Sequence, residues 1–419
     1  MWPRISKLRG QLKCPAAGLC TSSRLASTSS SRHGHSSSLK SLQPGNGNGN
    51  AVRHHDLRRF HKFNSYKQQL VTNTSHNASQ NAQPSVYQPP TSGILSKLPS
   101  SWVPYAELMR IDKPTGTYYL FFPCLFSTLM AAPMLSPIAP ISSVAGYTLL
   151  FLAGAFIMRG AGCTINDLWD RDLDPHVRRT RLRPVARGAI TPFNGIVFVG
   201  CQLLAGLAIL VQFPLPCILY GALSLPLVAT YPLAKRITYY PQVVLGLTFS
   251  WGAMMGFPAL GIDLVSDSSA LTAAACLYAS NVAWTVLYDM IYAHMDIKDD
   301  ATAGIKSIAL KHDANTRMVL TTMAVTQIAF LAAAGVASGA GPVFFAGSCG
   351  GAAITLAIMI LRVNLKNPRN CWWWFVKGCW ITGGAISAGL AGDYVVRRDA
   401  EKDNHDQVEA LLDESESPS

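Results

Sequence analysis

From about residue 115 onward, apolar residues run in stretches of roughly twenty, the length that carries an α-helix across a bilayer. Nine such stretches lie at roughly 115–135, 143–165, 192–212, 214–232, 242–262, 270–290, 319–339, 342–362 and 374–394. The pattern predicts an all-α, polytopic membrane protein of nine transmembrane helices. Pro214 and Pro216 divide the third stretch from the fourth. The ninth begins at Trp372, Trp373 and Trp374, a cluster suited to a membrane–water interface.

The loops sort by charge. On the side that precedes the first helix lie Arg110 and Lys113. The same side receives Arg171, Arg178, Arg179, Arg181, Arg183 and Arg187 after the second helix, and Lys235 and Arg236 after the fourth. Lys298, Lys306, Lys311 and Arg317 follow the sixth, and Arg362, Lys366 and Arg369 follow the eighth. The four loops of the opposite side hold no Lys or Arg. The positive-inside rule fits this alternation to nine spans, with the basic loops on the matrix or cytosolic face. These loops would form a polar cap there. The acidic end, 395–419, then falls on the other side and is expected to be solvated and disordered.

Composition agrees with a membrane body. Hydrophobic residues make up 49% and charged residues 14% of the chain, against roughly a quarter charged in soluble domains. The net charge of +12 lies wholly in the first hundred residues, which hold thirteen Lys/Arg and the single acid Asp56. The body is neutral, so it offers no basic face to nucleic acid. Residues 1–100 are rich in Ser, Asn, His and Arg, and Trp2, Ile5, Leu8 and Leu12 recur at helical spacing. A basic, acid-poor, amphipathic start reads as a mitochondrial transit peptide followed by a disordered leader. The domain expected after it is 101–394. The ten Cys show no CxxC and no zinc-like spacing, so they read as small buried residues.

Two acidic clusters carry the chemistry. The first contains Asn166, Asp167, Asp170, Asp172 and Asp174; the second contains Asp289, Tyr292, Asp296, Asp299 and Asp300. Asn166, Asp170 and Asp174 are four apart, as are Asp296 and Asp300, so a continuing helix would stack them on one face. Like charges at that spacing repel, and a bound cation resolves the conflict. Four crossings separate the clusters, which places both on the basic side. Oxygen donors without His or Cys favour Mg²⁺. Mg²⁺ shares its coordination with substrate phosphates, so two facing sites beside Lys235, Arg236 and the 178–187 arginines would clamp a diphosphate. A transporter would place its acids near the midplane, where none is evident.

These residues resemble the UbiA superfamily of intramembrane prenyltransferases. Asn166-Asp167, Asp170 and Asp174 match its NDxxDxxxD motif, and Asp296 and Asp300 match its DxxxD motif. The resemblance runs from about Arg110 to the last helix. Finer strings are similar to the 4-hydroxybenzoate polyprenyltransferases of ubiquinone synthesis: Met109 to Gly116, Arg159 to Cys163, Arg183-Pro184, Tyr231 to Arg236, Tyr292 to Asp296 and Gly304 to Ser307.

The resemblance implies Mg²⁺-dependent transfer of a polyprenyl group from its diphosphate to position 3 of 4-hydroxybenzoate. It also implies an inner mitochondrial membrane setting and a place near a coenzyme Q biosynthetic complex. One ion would sit on Asn166 and Asp170 with Asp174 in support, and a second on Asp296 and Asp300. Arg236, Lys235 and Arg183 would hold diphosphate oxygens. Tyr292, one turn before Asp296, would face the allylic cation with its ring. Arg159 lies seven residues before Asn166 on the same helix face and would take the acceptor carboxylate, with Arg110 and Lys113 as competitors. Gly335/Gly339 and Gly347/Gly351 have the GxxxG spacing of close helix contacts.

Overall fold

In the computed structural model the described residues are 87–416, apart from 173, 177–179, 298–299 and 301–305. The side chains of 176, 229, 231–233, 235–236 and 410–416 also lie outside the description. The described chain is all helical, with no strand. The helices are α1 (Val103–Leu108), α2 (Thr115–Ala131), α3 (Ile141–Trp169), α4 (Pro192–Leu210), α5 (Leu215–Ile237) and α6 (Pro241–Phe249). They continue with α7 (Gly252–Ala259), α8 (Ser268–Ala293), α9 (Ile308–His312), α10 (Thr316–Ala337), α11 (Pro342–Arg362) and α12 (Pro368–Glu416).

Proline opens several helices. Pro192, Pro241 and Pro342 occupy first-turn positions, where their missing N–H removes no intrahelical bond. Thr191 accepts from the Asn194 N–H at 3.2 Å and caps α4. Asp267 accepts from the Ser269 and Ala270 N–H groups at 2.9 and 3.0 Å and caps α8.

Six segments among the described residues are long and apolar enough to cross a membrane: Thr115–Met134, Ile141–Trp169, Pro192–Leu210, Ser268–Ala293, Ile308–Ala337 and Pro342–Arg362. The other three expected stretches fall on α5, on α6 with α7, and on the first half of α12. In α5 the apolar part is the shorter Leu215–Val228. The stretch expected as one helix at 242–262 is divided at Ser250 and Trp251. The division lets Gly252 and Gly256 press α7 onto α2. A Cβ at Gly252 would lie 2.5 Å from the Cys124 sulfur, and one at Gly256 would strike the Thr128 backbone. Ser127 closes the contact: its hydroxyl donates to Gly252 O at 2.8 Å and accepts from the Gly256 N–H at 3.0 Å.

The other end of the chain also departs from expectation. Helix α12 runs unbroken to Glu416, so residues 395–416 are helical rather than disordered. Tertiary bonds explain its continuation past 394. Tyr394 Oη donates to Ala139 O at 2.6 Å, and Arg397 Nη2 donates to Pro133 O at 2.9 Å. The Glu401 carboxylate accepts from the Ile138 N–H at 3.0 Å. At the front, the described residues begin before 101, and Tyr87 Oη donates to Glu107 Oε1 at 2.8 Å. The expected transit peptide lies outside the described residues.

Helix α11 carries a π-turn at Phe345–Cys349. Beside it Gly347 and Gly389 meet backbone to backbone, and Ser348 Oγ donates to Ile386 O at 2.8 Å. Buried Asp393 accepts from the N–H groups of Gly341 and Phe344 at 3.1 and 3.3 Å, which satisfies orphan donors at the start of α11. Gly335 lies against the Phe344 ring, and Gly351 against Ala385. Gly339, expected to pack, instead ends α10 in a left-handed conformation with φ +63° and open space around it.

Replacing Gly389 with Ala would drive a Cβ into the Ser348 backbone, which has no rotamer to yield. The expected cost is about 1–3 kcal/mol. Gly384→Ala, with nothing within 4 Å, should stay within about 0.5 kcal/mol of the parent. Thermal unfolding of the two variants in detergent checks the contrast.

Candidate functional site

The starts of α2 and α12 and the C-terminal parts of α3, α5 and α8 meet at one end of the bundle. The start of α2 fixes the geometry. A Cβ at Gly116 would collide with the guanidinium of Arg159 on α3. One turn on, the ring of Tyr119 stacks on Tyr288 of α8 at 3.6 Å between centroids. The C-terminal parts of α3, at Arg159, and of α8, at Tyr288, therefore lie beside the first turn of α2. Phe375, near the start of α12, joins them, 4.7 Å from the Tyr292 ring. The acidic clusters follow directly on α3 and α8, so both lie at this end, as the crossing count requires. Lys306 Nζ donates to Ile237 O at 3.3 Å, which brings the end of α5 to the segment that follows the second cluster.

Helix α3 stops at Trp169, earlier than a continuous stack of Asn166, Asp170 and Asp174 requires. Asp170 is its C-cap, and its N–H donates to Asn166 O at 2.9 Å. The turn continues as the Asp174 N–H donates to Asp170 O at 2.8 Å. Helix α8 stops at Ala293, and a comparable bond joins the Asp300 N–H to Asp296 O at 2.8 Å. Acids at a helix C-terminus oppose the helix dipole. Both clusters therefore sit where negative charge is disfavoured, and each needs positive partners.

For the first cluster the partners are two arginines. Arg110 Nη2 donates to both oxygens of Asp167 at 2.9 Å. Arg183 Nη1 lies 3.1 Å from Asp167 Oδ1 and 2.9 Å from Asp174 Oδ2. The Asp167 side chain is 1% exposed and that of Asp174 is 6%. Burial pushes the Asp174 carboxyl above its ordinary pKa, although Arg183 and Thr180 pull it down. Burial works against the Arg110 charge, but the charge and hydrogen bond of Asp167, together with Cys163 and Asp112, leave Arg110 more firmly protonated than usual. Arg110 adopts φ 60°, the only positive value at a non-glycine among the described residues. Behind this pair, Arg187 Nη2 meets Glu107 Oε2 at 2.6 Å, Tyr87 Oη donates to Glu107 Oε1 at 2.8 Å, and Arg187 lies over the Tyr87 ring.

The expected residues thus divide. Asn166, Asp170, Asp296, Asp300 and Tyr292 are half-buried at the helix ends, an all-oxygen donor set of the kind that suits Mg²⁺. Arg110 and Arg183 are engaged with Asp167 and Asp174. Asp167 had no assigned role; its place inside the ND pair was the signal. Lys113 stands on an exposed turn, 3.3 Å from its neighbour Asp112. Lys235 and Arg236 lie on the last turn of α5, and their side chains are outside the described residues, as is Asp299. Arg159 is half-buried, and its Nε is buried with no hydrogen-bond partner among the described residues. Tyr292 is flanked by Phe375 and by Trp372, 6.4 Å away. Buried His294 fixes the turn after α8: Nδ1 bonds Met290 O at 2.8 Å and Nε2 bonds Thr316 Oγ1 at 3.0 Å.

Arg110→Ala should destabilise the fold by about 3 kcal/mol, because it leaves buried Asp167 with one partner fewer. Arg110→Gly should be less harmful by about 1 kcal/mol, since glycine takes a positive φ without steric cost. Denaturation of both variants in detergent reads the difference.

Known proteins agree with this arrangement. The UbiA prenyltransferase family matches along residues 120–382. A Saccharomyces cerevisiae protein named 4-hydroxybenzoate polyprenyltransferase, mitochondrial, is 46% identical over 73% of this chain and 80% of its own length. A Mus musculus protein of the same name is 44% identical over 67% of this chain and 72% of its own. The solved structure of a UbiA homologue from Archaeoglobus fulgidus, bound to DMAPP and Mg²⁺, superposes with a TM-score of 0.53 over 70% of this chain and 99% of that one, at 15% identity. One from Aeropyrum pernix gives 0.50 over 67% and 97%, at 22% identity. Half-buried acids at two helix ends on one side of an all-helical bundle, and a sequence match across most of that bundle, make the chain a member of the UbiA prenyltransferase family.

Proposed function

We propose that this protein transfers a polyprenyl group from polyprenyl diphosphate to position 3 of 4-hydroxybenzoate, a membrane step of ubiquinone synthesis. The observation that carries the proposal is the pairing of the two acidic motifs at one end of the bundle with Arg159 beside them. The shared name of relatives at about 45% identity supports the acceptor. Their mitochondrial designation, with the basic leader, supports an inner-membrane location with the active end toward the matrix. Nine crossings follow if α5, the broken α6–α7 pair and the first half of α12 join the six long spans. The basic loops then form a polar cap at the active end.

The donor is amphipathic, and the site is arranged to match. Its apolar tail belongs among the helices and its diphosphate at their polar ends. Asn166 and Asp170 would hold one Mg²⁺, and Asp296 and Asp300 a second. Bound there, Mg²⁺ neutralises the diphosphate and stabilises it as a leaving group. Lys235 and Arg236 at the end of α5 would bind diphosphate oxygens. The allylic C–O bond breaks and both electrons leave with diphosphate. The face of Tyr292, held by Phe375 and Trp372, lies one turn from Asp296 and stabilises the cation. The ring carbon ortho to the phenol hydroxyl supplies the electron pair for the new bond, and that carbon then gives its proton to the released diphosphate.

Arg159 would take the acceptor carboxylate. Gly116 leaves room for its guanidinium at the start of α2, and its unpartnered Nε is a donor awaiting an acceptor. Arg110 and Arg183 already grip Asp167 and Asp174, which leaves them poorly placed for substrate.

Membranes from a host lacking the activity, given radiolabelled 4-hydroxybenzoate and a polyprenyl diphosphate, test the proposal. Wild type should form a labelled lipid that disappears with EDTA and with Asp170→Asn. Arg159→Ala should raise KM for 4-hydroxybenzoate by about tenfold or more, the loss of one charge-assisted hydrogen bond, with little change in KM for the donor. Well-inserted wild-type protein that yields no product across several donor lengths would overturn the acceptor assignment.

A further inference from the structure

We propose that Asp167 and Asp174 are not metal ligands but the two carboxylates of a bridge with Arg110 and Arg183, which positions Asn166 and Asp170 before any metal arrives. The inference rests on the metal-dependent reading above and changes which residues of the first motif serve it.

The argument starts from placement. Arg183 Nη1 reaches Asp167 and Asp174 at 3.1 and 2.9 Å, so one nitrogen joins the last turn of α3 to the turn beyond it. Arg110 closes the other side of Asp167 with two bonds of 2.9 Å. The two arginine charges balance the two carboxylates. Thr180 Oγ1 adds a bond of 3.1 Å to Asp174 O. Both carboxylates are almost wholly buried, whereas Asn166 and Asp170 are half-buried.

The backbone transmits the constraint. Asp170 lies between the anchors: its N–H donates to Asn166 O, and its O accepts from the Asp174 N–H. Asn166 is the neighbour of Asp167. Fixing Asp167 and Asp174 therefore fixes both the residue before the first anchor and the residue between the two. Anchors and ligands alternate from 166 to 174, so a motif with three acids at a helix C-terminus can form without a cation. Asp167 and Asp174 are thus positioning residues, acting through Asn166 and Asp170.

A ligand and an anchor respond oppositely in the absence of metal. Removing a ligand carboxylate relieves repulsion and leaves the metal-free thermal midpoint unchanged or higher. Removing an anchor strands a buried arginine and lowers it. A double variant that neutralises both ends of the bridge should recover part of each single loss, which loss of a ligand cannot do.

The test uses the full-length protein in detergent, metal-free, with Mn²⁺ titrated by electron paramagnetic resonance. The variants are Asp170→Asn, Asp174→Asn, Arg183→Gln and Asp174→Asn/Arg183→Gln. Asp170→Asn should weaken Mn²⁺ binding at least tenfold without lowering the metal-free midpoint. Asp174→Asn and Arg183→Gln should each lower that midpoint, and the double variant should bind Mn²⁺ more tightly than Arg183→Gln alone. Arg183→Lys keeps the positive charge but replaces the guanidinium with a single ammonium, and should fall between wild type and Arg183→Gln. Should Arg183→Gln alone fail to fold while the double variant folds, that too is rescue. The proposal is overturned if Asp174→Asn keeps or raises the metal-free midpoint, loses Mn²⁺ as Asp170→Asn does, and gains nothing from Arg183→Gln. Neither readout uses the aromatic acceptor, so a wrong acceptor assignment would leave these results intact and show only in the product assay.

Discussion

A buried carboxylate sets the terms for this end of the molecule. Asp167 is 1% exposed at the close of a long apolar helix, where the helix dipole disfavours negative charge. Arg110 reaches it from the turn before α2, and Arg183 from the loop after α3. An unpaired charge in that position would cost several kcal/mol. The pairing therefore ties three chain segments together. Arg110 adopts a left-handed backbone to make it, a strain of about 1–2 kcal/mol for a residue with a Cβ.

With that tie in place, the membrane supplies the remaining order. Backbone polar groups in a bilayer must be satisfied within helices, so polar chemistry gathers where helices end. The first turn of α2 abuts Arg159 through Gly116 and Tyr288 through Tyr119. The C-terminal turns of α3 and α8 are thereby brought to one place. An aromatic run from Trp284 through Tyr288 to Tyr292 leads toward the second acidic cluster, with Tyr119 and Phe375 packed against it. An amphipathic donor fits such a layout, with its anionic head at the acids and its tail among the apolar helices.

Much of this was legible in the residues. Apolar runs marked the long helices, and the spacing of four within each acidic cluster marked the candidate site proposed above. Loop parity placed both clusters on one side, where helix contacts now put them. What escaped was pairing at long range. Arg110 and Asp167 are 57 residues apart, and a positive charge in a sequence does not reveal which carboxylate it meets. Arg110 and Arg183 therefore read as substrate ligands. The break at Ser250 was hidden because a divided helix keeps the apolar composition of a whole one; Gly252 and Gly256, spaced by four, were the available sign. The acidic composition beyond 394 suggested disorder, yet Arg397 and Glu401 hold that helix to the 133–138 segment. Composition registers charge but not the backbone groups that neutralise it.

In the proposed mechanism the two helix-end clusters act together, each holding one divalent ion against a shared diphosphate. Counting bound Mn²⁺ in the purified full-length protein, with a non-hydrolysable prenyl diphosphate analogue present, tests this most directly. Wild type should bind two ions, and Asp170→Asn and Asp296→Asn should each bind at most one. A single ion in wild type, or two ions retained in both variants, would contradict the account.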